Sequence, residues 1–282
     1  MKTLFSALGL AAVLAFSLMA ADTDEARVKL ENLRHPELKA LAVQVVVLPI
    51  GSTEPHANHL PYCTDALTTD IMAGRVAAKA NAMGAHVLVL PTMPYGINSN
   101  QVPNPYAQSI RPATMMAFVK DVIDTLERQG IRKVVILNGH GGNTTTLGSA
   151  LRELFASNRH MFVAMVETST PYVAELKSII ETGGDHSSEE ETSVALALFP
   201  QKVRMDLAVK AKDSVLALDS MKVPYIAFMR PWNLVSDNTG LGDPTKATAA
   251  KGQKLVDIFM DRISRFLKEL SDAPLTERFP YR

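Results

Sequence analysis

Residues 43–65 read VQVVVLPIGSTEPHANHLPYCTD and join a buried strand to the polar segment that follows it. The run from Val43 to Leu48 is almost continuously β-branched, which is typical of a strand covered on both faces. Similar runs occur further along the chain, at residues 86–90, 133–137 and 161–166. These runs predict the strands of a central sheet.

Helical patterns separate the strands. They cover residues 65–81, 112–129 and 143–157, and a last helix is expected over residues 245–270. Strands that alternate with helices predict an α/β fold: a single domain with a mainly parallel β-sheet flanked by helices. Ligands then belong at the carboxyl ends of the strands. Two long loops, residues 91–111 and 222–243, are expected to be functional or disordered.

The amino terminus has the pattern of a secretory signal. Met1-Lys2-Thr3 is a basic start, an apolar run of about 17 residues follows, and small residues surround Ala20. This order predicts a signal peptide over residues 1–21, a mature domain over residues 22–282 and a secreted or periplasmic protein. The alternative is a retained anchor, although the run is at the short limit for a membrane span.

The charge balance restricts the partners. The chain has 29 basic and 29 acidic residues, and no basic run stands out. Nucleic-acid binding usually needs a basic footprint, so that class is excluded, and no membrane association is expected after signal cleavage. The single cysteine, Cys63, excludes an internal disulfide framework.

Three polar clusters follow or flank the predicted strands. The first contains Glu54, His56, His59 and Asp65, which are residue types that bind zinc or manganese. In an extended segment Glu54 and His56 would point the same way. The alternative is a polar surface loop.

The second cluster, residues 138–143, is a glycine-rich turn around His140 that enters a helix. Its free backbone N–H groups suit an anion or oxyanion, and the alternative is a structural turn. The third cluster, residues 183–193, has His186 before three glutamates that open a helix. Carboxylates in a first helical turn are also common without chemistry.

Taken together, these clusters resemble the creatininase family. The matching stretches are GSTEPHANHLPYCTD at 51–65, NGHGGN at 138–143, HSSEEETS at 186–193 and a Gly-Asp-Pro segment at 240–252. The resemblance covers residues 43–266 and implies a creatininase-like fold. It also implies metal-dependent hydrolysis of a non-peptide C–N bond in a small cyclic amide or formamide.

The resemblance further implies two divalent metal ions, zinc or manganese, with iron as a third candidate. Glu54, Asp65 and His140 would hold one ion, and His56 and the shared Asp65 would help to hold the other. Creatininase itself takes the last ligand from a Glu at the position of Gly142. Other family members use the Glu that corresponds to Glu189, so Glu189 is the expected fifth ligand and Glu191 the fallback.

Further roles follow from the same resemblance. His186 is the expected catalytic proton carrier, and His59 is expected behind the ligands. Independently of the resemblance, the backbone N–H groups of Gly141 and Gly142 are expected to bind the substrate, and Tyr95 and Trp232 are candidates for the substrate pocket. The alternative for Tyr95 and Trp232 is core packing. In the loop after Tyr95, amide side chains replace acidic and histidine residues that many members carry, so the substrate is expected to differ from the family's best-known one.

Other functions stay open at this stage. The chain could be an exported, non-enzymatic protein that binds a metal or ligand on the same fold. A two-metal phosphoesterase is a further alternative, although the sequence lacks a basic pocket motif. The family's assemblies imply a homo-oligomer, for which a hexamer is one candidate, and the expected partner is a small-molecule amide.

Overall fold

A four-stranded parallel sheet organises the part of the chain that the computed structural model describes, which is residues 24–157, 160–223 and 226–281. Its strands are β1 (Val45–Ile50), β2 (Val87–Val89), β3 (Lys133–Asn138) and β4 (Phe162–Glu167). They lie in the order β2-β1-β3-β4, and each neighbouring pair is parallel. The predicted parallel α/β architecture is therefore confirmed. The expected signal peptide, residues 1–21, lies outside the described residues.

Helices cover both faces of this sheet. In chain order they are α1 (His35–Ala40), α2 (Thr64–Ala82), α3 (Pro112–Arg128), α4 (Thr144–Ser157), α5 (Val173–Ile179), α6 (Glu189–Leu198), α7 (Trp232–Val235) and α8 (Ala249–Asp272). A short antiparallel pair, β5 (Gly184–His186) and β6 (Leu241–Gly242), lies outside the main sheet. Among the described residues, no helix combines the length and apolarity that a membrane crossing requires.

The alternation of β1 explains why the core has two halves. Every residue of β1 is buried, and successive side chains point to opposite faces. Val45 and Val47 belong to one apolar cluster with residues of α2, α6 and α8. Val46 and Leu48 belong to the other cluster, with residues of α3 and α4. A strand covered on both sides needs apolar residues at every position, which is the pattern in the sequence.

Helix α8 begins later than the pattern predicted. Residues Pro244–Lys246 form a separate 3₁₀ turn, because the Asp243 carboxylate accepts a hydrogen bond from the Thr245 N–H at 3.0 Å. Thr248 then caps α8. Helix α8 crosses α6 with almost no space between the backbones: a Cβ added at Gly252 would lie 1.8 Å from the Ser193 carbonyl oxygen. The position of α6 therefore depends on α8.

Candidate metal centre and adjoining cavity

Six side chains of metal-binding type converge at the carboxyl end of the sheet. Glu54 and His56 follow β1, Asp65 is in the first turn of α2, His140 follows β3, His186 ends β5 and Glu191 is in α6. They form three overlapping groups whose candidate ligand atoms lie within 4.8 Å of one another: Glu54–Asp65–His140, His56–Asp65–Glu191 and Glu54–His56–His186. Four of the five predicted ligands, Glu54, His56, Asp65 and His140, are thus brought together.

The contacts of the His140 ring fix its tautomer and require a positive charge beside Nδ1. Its Nε2 lies 3.2 Å from the carbonyl oxygen of Ile97. A carbonyl oxygen only accepts, so Nε2 carries the hydrogen. Nδ1 then faces two carboxylate oxygens, Glu54 Oε1 at 3.1 Å and Asp65 Oδ2 at 3.0 Å. A lone pair aimed at two carboxylates is repulsive unless a second proton or a cation lies between them.

His56 has the same arrangement. Its Nδ1 lies 3.1 Å from the Glu54 carbonyl oxygen, and its Nε2 lies 3.0 Å from Asp65 Oδ1. Asp65 therefore offers one oxygen to each imidazole. Its Oδ2 is buried and makes no hydrogen bond of acceptable geometry within the described chain. Backbone carbonyls that hold one ring nitrogen while the other faces carboxylates are typical of histidines prepared for a metal.

The electrostatics of the cluster agree with this geometry. Burial lowers the pKa of His56, but the carboxylates of Asp65, Glu191 and Glu54 together outweigh burial and raise this pKa to about 10. Burial raises the pKa of Asp65, but His56 and His140 outweigh it and hold this pKa well below its usual range. Imidazolium–carboxylate pairs therefore stabilise the metal-free cluster, and divalent ions could replace those protons.

Glu189 does not lie in this cluster, contrary to the sequence prediction. It is fully buried, and its Oε1 accepts from Lys251 Nζ while its Oε2 accepts from the Thr182 hydroxyl at 2.7 Å. The backbone N–H groups of residues 181 and 182 also donate to Oε2. Residues two apart on a helix are rotated by about 200°, so the half-buried Glu191, not Glu189, faces His56 and Asp65.

The glycine at position 142 is required by close contacts. A Cβ there would lie 2.3 Å from the Ile97 carbonyl oxygen and 2.4 Å from His140 Nε2. A glutamate therefore cannot enter at this position unless the loop around Ile97 moves. In this chain the same loop oxygen orients His140, and the additional carboxylate comes from α6 instead.

His186 lies at the edge of the cluster. Its Nε2 donates to the Pro55 carbonyl oxygen at 2.8 Å, and its Nδ1 lies 3.8 Å from Glu54 Oε1. The ring centroid is 4.4 Å from that of His56 and 5.3 Å from that of Trp232, which meets it edge-on. Burial and the neighbouring His56 lower the pKa of His186. Its Nδ1 is therefore unprotonated near neutral pH, when it can accept a proton or bind a metal.

His59 connects the metal-binding loop to α6. It is buried, and its Nε2 lies 2.8 Å from Thr192 Oγ1, one residue after Glu191. Burial, followed by the nearby His56, lowers the pKa of His59 to about 4. A neutral imidazole in this position joins the loop that carries His56 to the helix that carries Glu191. His59 therefore lies behind the candidate ligands, where it was expected.

A cavity of about 450 Å³ adjoins the cluster and shares Asp65, His140 and Glu191 with it. Of the predicted substrate-binding residues, Gly141 lines this cavity. Tyr95, Gly142 and Trp232 do not line it. Trp232 is instead buried, and its indole N–H donates to the Thr239 carbonyl oxygen at 2.6 Å. The Trp232 ring contacts the His186 ring and therefore positions that imidazole.

Sequence reasoning missed three acidic residues of the cavity wall, Glu167, Asp185 and Glu190. Glu167 ends β4, so the rule that ligands bind at the carboxyl ends of parallel strands could have identified it. Glu190 stands between Glu189 and Glu191, and nothing in the spacing separates its role from theirs. Only the packed orientation of α6 does so.

The long loop over residues 91–111 is held by its amide side chains. The buried Asn98 donates to the Gln108 carbonyl oxygen at 2.8 Å and contacts the Ser52 hydroxyl. Asn104 donates to the Gln101 side-chain oxygen at 2.8 Å. These amide side chains thus fix the loop, and the loop supplies the Ile97 oxygen that orients His140.

Comparison with known proteins agrees with this geometry. Residues 31–267 match the creatininase family, described as creatinine amidohydrolase. A mycofactocin precursor peptide peptidase from Mycolicibacterium smegmatis is 31% identical over 231 residues, which cover 79% of this chain and 86% of the relative. A creatinine amidohydrolase from Pseudomonas putida is 28% identical, with 80% and 89% covered.

Solved structures share the fold. A candidate creatinine amidohydrolase from Bacteroides fragilis has a TM-score of 0.84 and 30% identity, and the match covers 89% of this chain and 99% of that one. Creatininase structures of a zinc type and a manganese form have TM-scores of 0.73 and 25% identity, with 87% and 99% covered. The family match spans most of the chain, and the fold and the candidate metal cluster agree with it. The chain therefore belongs to the creatininase family of hydrolases.

Proposed function

We propose that this protein is a metal-dependent amidohydrolase that cleaves a non-peptide C–N bond in a small cyclic amide or formamide. The observation that carries the proposal is the shared arrangement of His56 and His140. In each ring, one N–H donates to a backbone carbonyl oxygen and the other nitrogen faces Asp65. This arrangement is stable only with positive charge between the rings and the carboxylate.

The donor set fits two divalent ions that share Asp65. Glu54, Asp65 and His140 would hold one ion, and His56, Asp65 and Glu191 would hold the other. Mixed imidazole and carboxylate donors suit zinc or manganese, with iron as a third candidate. Bound there, the ions would supply the charge that polarises an amide carbonyl and makes water nucleophilic at neutral pH.

The remaining residues orient the substrate and move protons. Gly141 lines the cavity, and its backbone N–H would donate to the carbonyl oxygen of a bound amide. His186 holds its Nε2–H on Pro55, so Nδ1 is the atom that can take a proton and return it to the leaving nitrogen. Trp232 packs against this ring and keeps its orientation.

Three alternative functions can be weighed against the cavity, the cluster and the relatives. A peptide substrate is favoured by the relatives named as peptidases, whereas the cavity volume of about 450 Å³ is in the range of a small-molecule site. A phosphoesterase is disfavoured because no Lys or Arg lines this cavity in the described chain. A non-enzymatic binding protein would need the cluster but not the proton-transfer geometry of His186.

One experiment separates these functions. The protein is stripped with a chelator, reloaded with zinc or manganese, and assayed on cyclic amides, formamides, short peptides and a generic phosphoester. Turnover of cyclic amides or formamides that requires metal supports the proposal. Turnover of peptides or the phosphoester alone replaces it with that activity. Metal binding without turnover indicates a binding protein, and undiminished amide hydrolysis after chelation contradicts the metal requirement.

A further inference from the structure

Asn143 has a buried amide side chain beside the metal cluster, and the proposed reaction gives this side chain no role. The residue directly precedes α4, a place where asparagine commonly caps the helix with its side-chain oxygen. The side chain is fully buried. A buried amide is costly unless its donors and its acceptor are paired, so its partners show what it holds in place.

Both N–H groups and the oxygen of the Asn143 side chain are paired. Its Nδ2 donates to the Gly51 carbonyl oxygen and to Asn138 Oδ1, each at 3.1 Å. Its Oδ1 accepts from the Ile97 N–H at 2.9 Å. Gly51 follows β1, Asn138 ends β3, and Ile97 lies in the long loop over residues 91–111. The side chain therefore ties that loop to the carboxyl ends of two adjacent strands.

Ile97 connects Asn143 to the ring of His140. The Ile97 N–H donates to Asn143, and the Ile97 carbonyl oxygen accepts from His140 Nε2 at 3.2 Å. The Asn143 backbone N–H also donates to the His140 carbonyl oxygen at 3.1 Å. These three residues thus form a closed ring of hydrogen bonds, in which Asn143 fixes the residue that orients the imidazole.

The packing of the loop agrees with this role. A Cβ added at Gly96 would lie 2.9 Å from Asn143 Oδ1 and 2.9 Å from the Ser52 hydroxyl oxygen. Any side chain at position 96 would therefore push the loop away from Asn143. Together with the close contact between Gly142 and the Ile97 oxygen, this shows that the loop and the turn around His140 are fitted to each other on both sides of Ile97.

We propose that Asn143 is a positioning residue for the metal centre, which acts through Ile97 to keep His140 Nδ1 directed at Glu54 and Asp65. This inference rests on the proposed metal-dependent function and adds a residue on which the His140 ion depends. Without the Asn143 oxygen, the Ile97 carbonyl is free to turn away from the ring, and the ring can rotate Nδ1 away from the carboxylates.

Groups that orient a metal-binding histidine typically change metal affinity by about 10–100-fold. Because Asn143 acts through Ile97 and does not touch the ring, we expect an effect at the lower end, about tenfold. Competition with a chelator should therefore show that Asn143→Ala binds one of its two ions about tenfold more weakly than the unmodified protein.

Asn81→Ala is the matched control. The Asn81 side chain also joins a helix to a strand, because it bonds the Val87 N–H at 2.8 Å and the Val87 carbonyl oxygen at 3.0 Å. Val87 begins β2, so this amide lies at the other end of the sheet from the metal cluster. Asn81→Ala should lower the melting temperature and leave the affinity for both ions unchanged.

A second readout needs neither metal nor substrate. In metal-free protein with isotope-labelled histidine, nitrogen NMR should detect the His140 Nε2–H as a signal protected from solvent exchange. Its absence in His140→Gln assigns the signal. Asn143→Ala should lose this protection, because the Ile97 oxygen no longer holds the ring, whereas Asn81→Ala should keep it. A merely structural role for Asn143 would not distinguish the two variants.

Gly96→Ala breaks the same contact from the loop side and should have both effects, so it decides the inference if Asn143→Ala does not fold. Unchanged metal affinity or a protected ring N–H in the folded variant would overturn the inference. Equal losses in Asn81→Ala, or no protected His140 N–H in the unmodified protein, would also overturn it. If the unmodified protein binds no divalent ion, the proposed function fails, and the ring N–H alone decides the role of Asn143.

Discussion

Glu189 and Glu191 offer a matched test of the metal assignment, because the same change at two positions of one helix should have opposite effects. Glu191 lies with His56 and Asp65. Glu189 accepts from Lys251, from the Thr182 hydroxyl and from two backbone N–H groups. We expect Glu191→Gln to lose one of two metal ions and most activity, and Glu189→Gln to keep both ions.

The expected changes in stability also differ between the two variants. Removal of one partner from a buried ion pair costs about 3–5 kcal/mol. Lys251 is 19% exposed, so water reduces this cost to roughly 2–3 kcal/mol. For a protein of this size, about 2–4 °C in Tm corresponds to each kcal/mol. Glu189→Gln should therefore lower Tm by roughly 4–12 °C, whereas Glu191→Gln relieves a half-buried carboxylate and should not destabilise the metal-free protein.

Elemental analysis and thermal melts, with and without chelator, measure both effects. The reasoning is refuted if Glu191→Gln retains two ions per chain. It is also refuted if Glu189→Gln loses an ion while the melting temperature of the metal-free protein is unchanged.

Four further predictions follow from the site and the amino terminus. Asp65→Asn should lose both ions, since Asp65 faces both imidazoles, and elemental analysis that finds full metal content would contradict the bridge. His186→Gln should lower kcat by about 10²–10⁴ with metal content unchanged; a metal-depleted variant would instead make His186 a ligand. The metal-free protein should lose stability as the pH rises from 6.5 to 10. The pKa of His56 is raised to about 10 in the folded protein, so protonated His56 stabilises the fold fully below its unfolded pKa, and this stabilisation is lost as the pH rises through the folded pKa. Melts in chelator that are flat over this range would contradict the prediction. Mass spectrometry of the protein from its native host should find cleavage near Ala20, and an intact Met1 in the cytoplasm would exclude export.

The sheet was predictable because its strands are buried on both faces. Such strands must be apolar at every position, and the runs at β1 and β3 show this without any knowledge of tertiary contacts. Helix boundaries were less predictable. The start of α8 depends on an Asp243 cap and a separate 3₁₀ turn, whereas the residue pattern is helical from position 245.

The candidate site likewise has residues that the sequence could identify and a choice that it could not make. Glu54, His56, Asp65 and His140 follow or adjoin strands that the sequence identifies, so their convergence could be expected. The choice between Glu189 and Glu191 depends on how α6 is rotated about its own axis. Lys251 and Thr182 fix that rotation from distant parts of the chain, and a single sequence does not reveal such long-range partners.

The contact between α6 and α8 also limits how the site could be re-engineered. Gly252 carries no functional group, yet any side chain there would meet the Ser193 carbonyl oxygen, two residues after Glu191. A change at position 252 would therefore act on the metal cluster from the opposite side of a helix. The spacing between α6 and α8 and the length of the Glu191 side chain together determine where the Glu191 carboxylate lies. Variant libraries that aim to alter metal preference should therefore include the face of α8 that contacts α6.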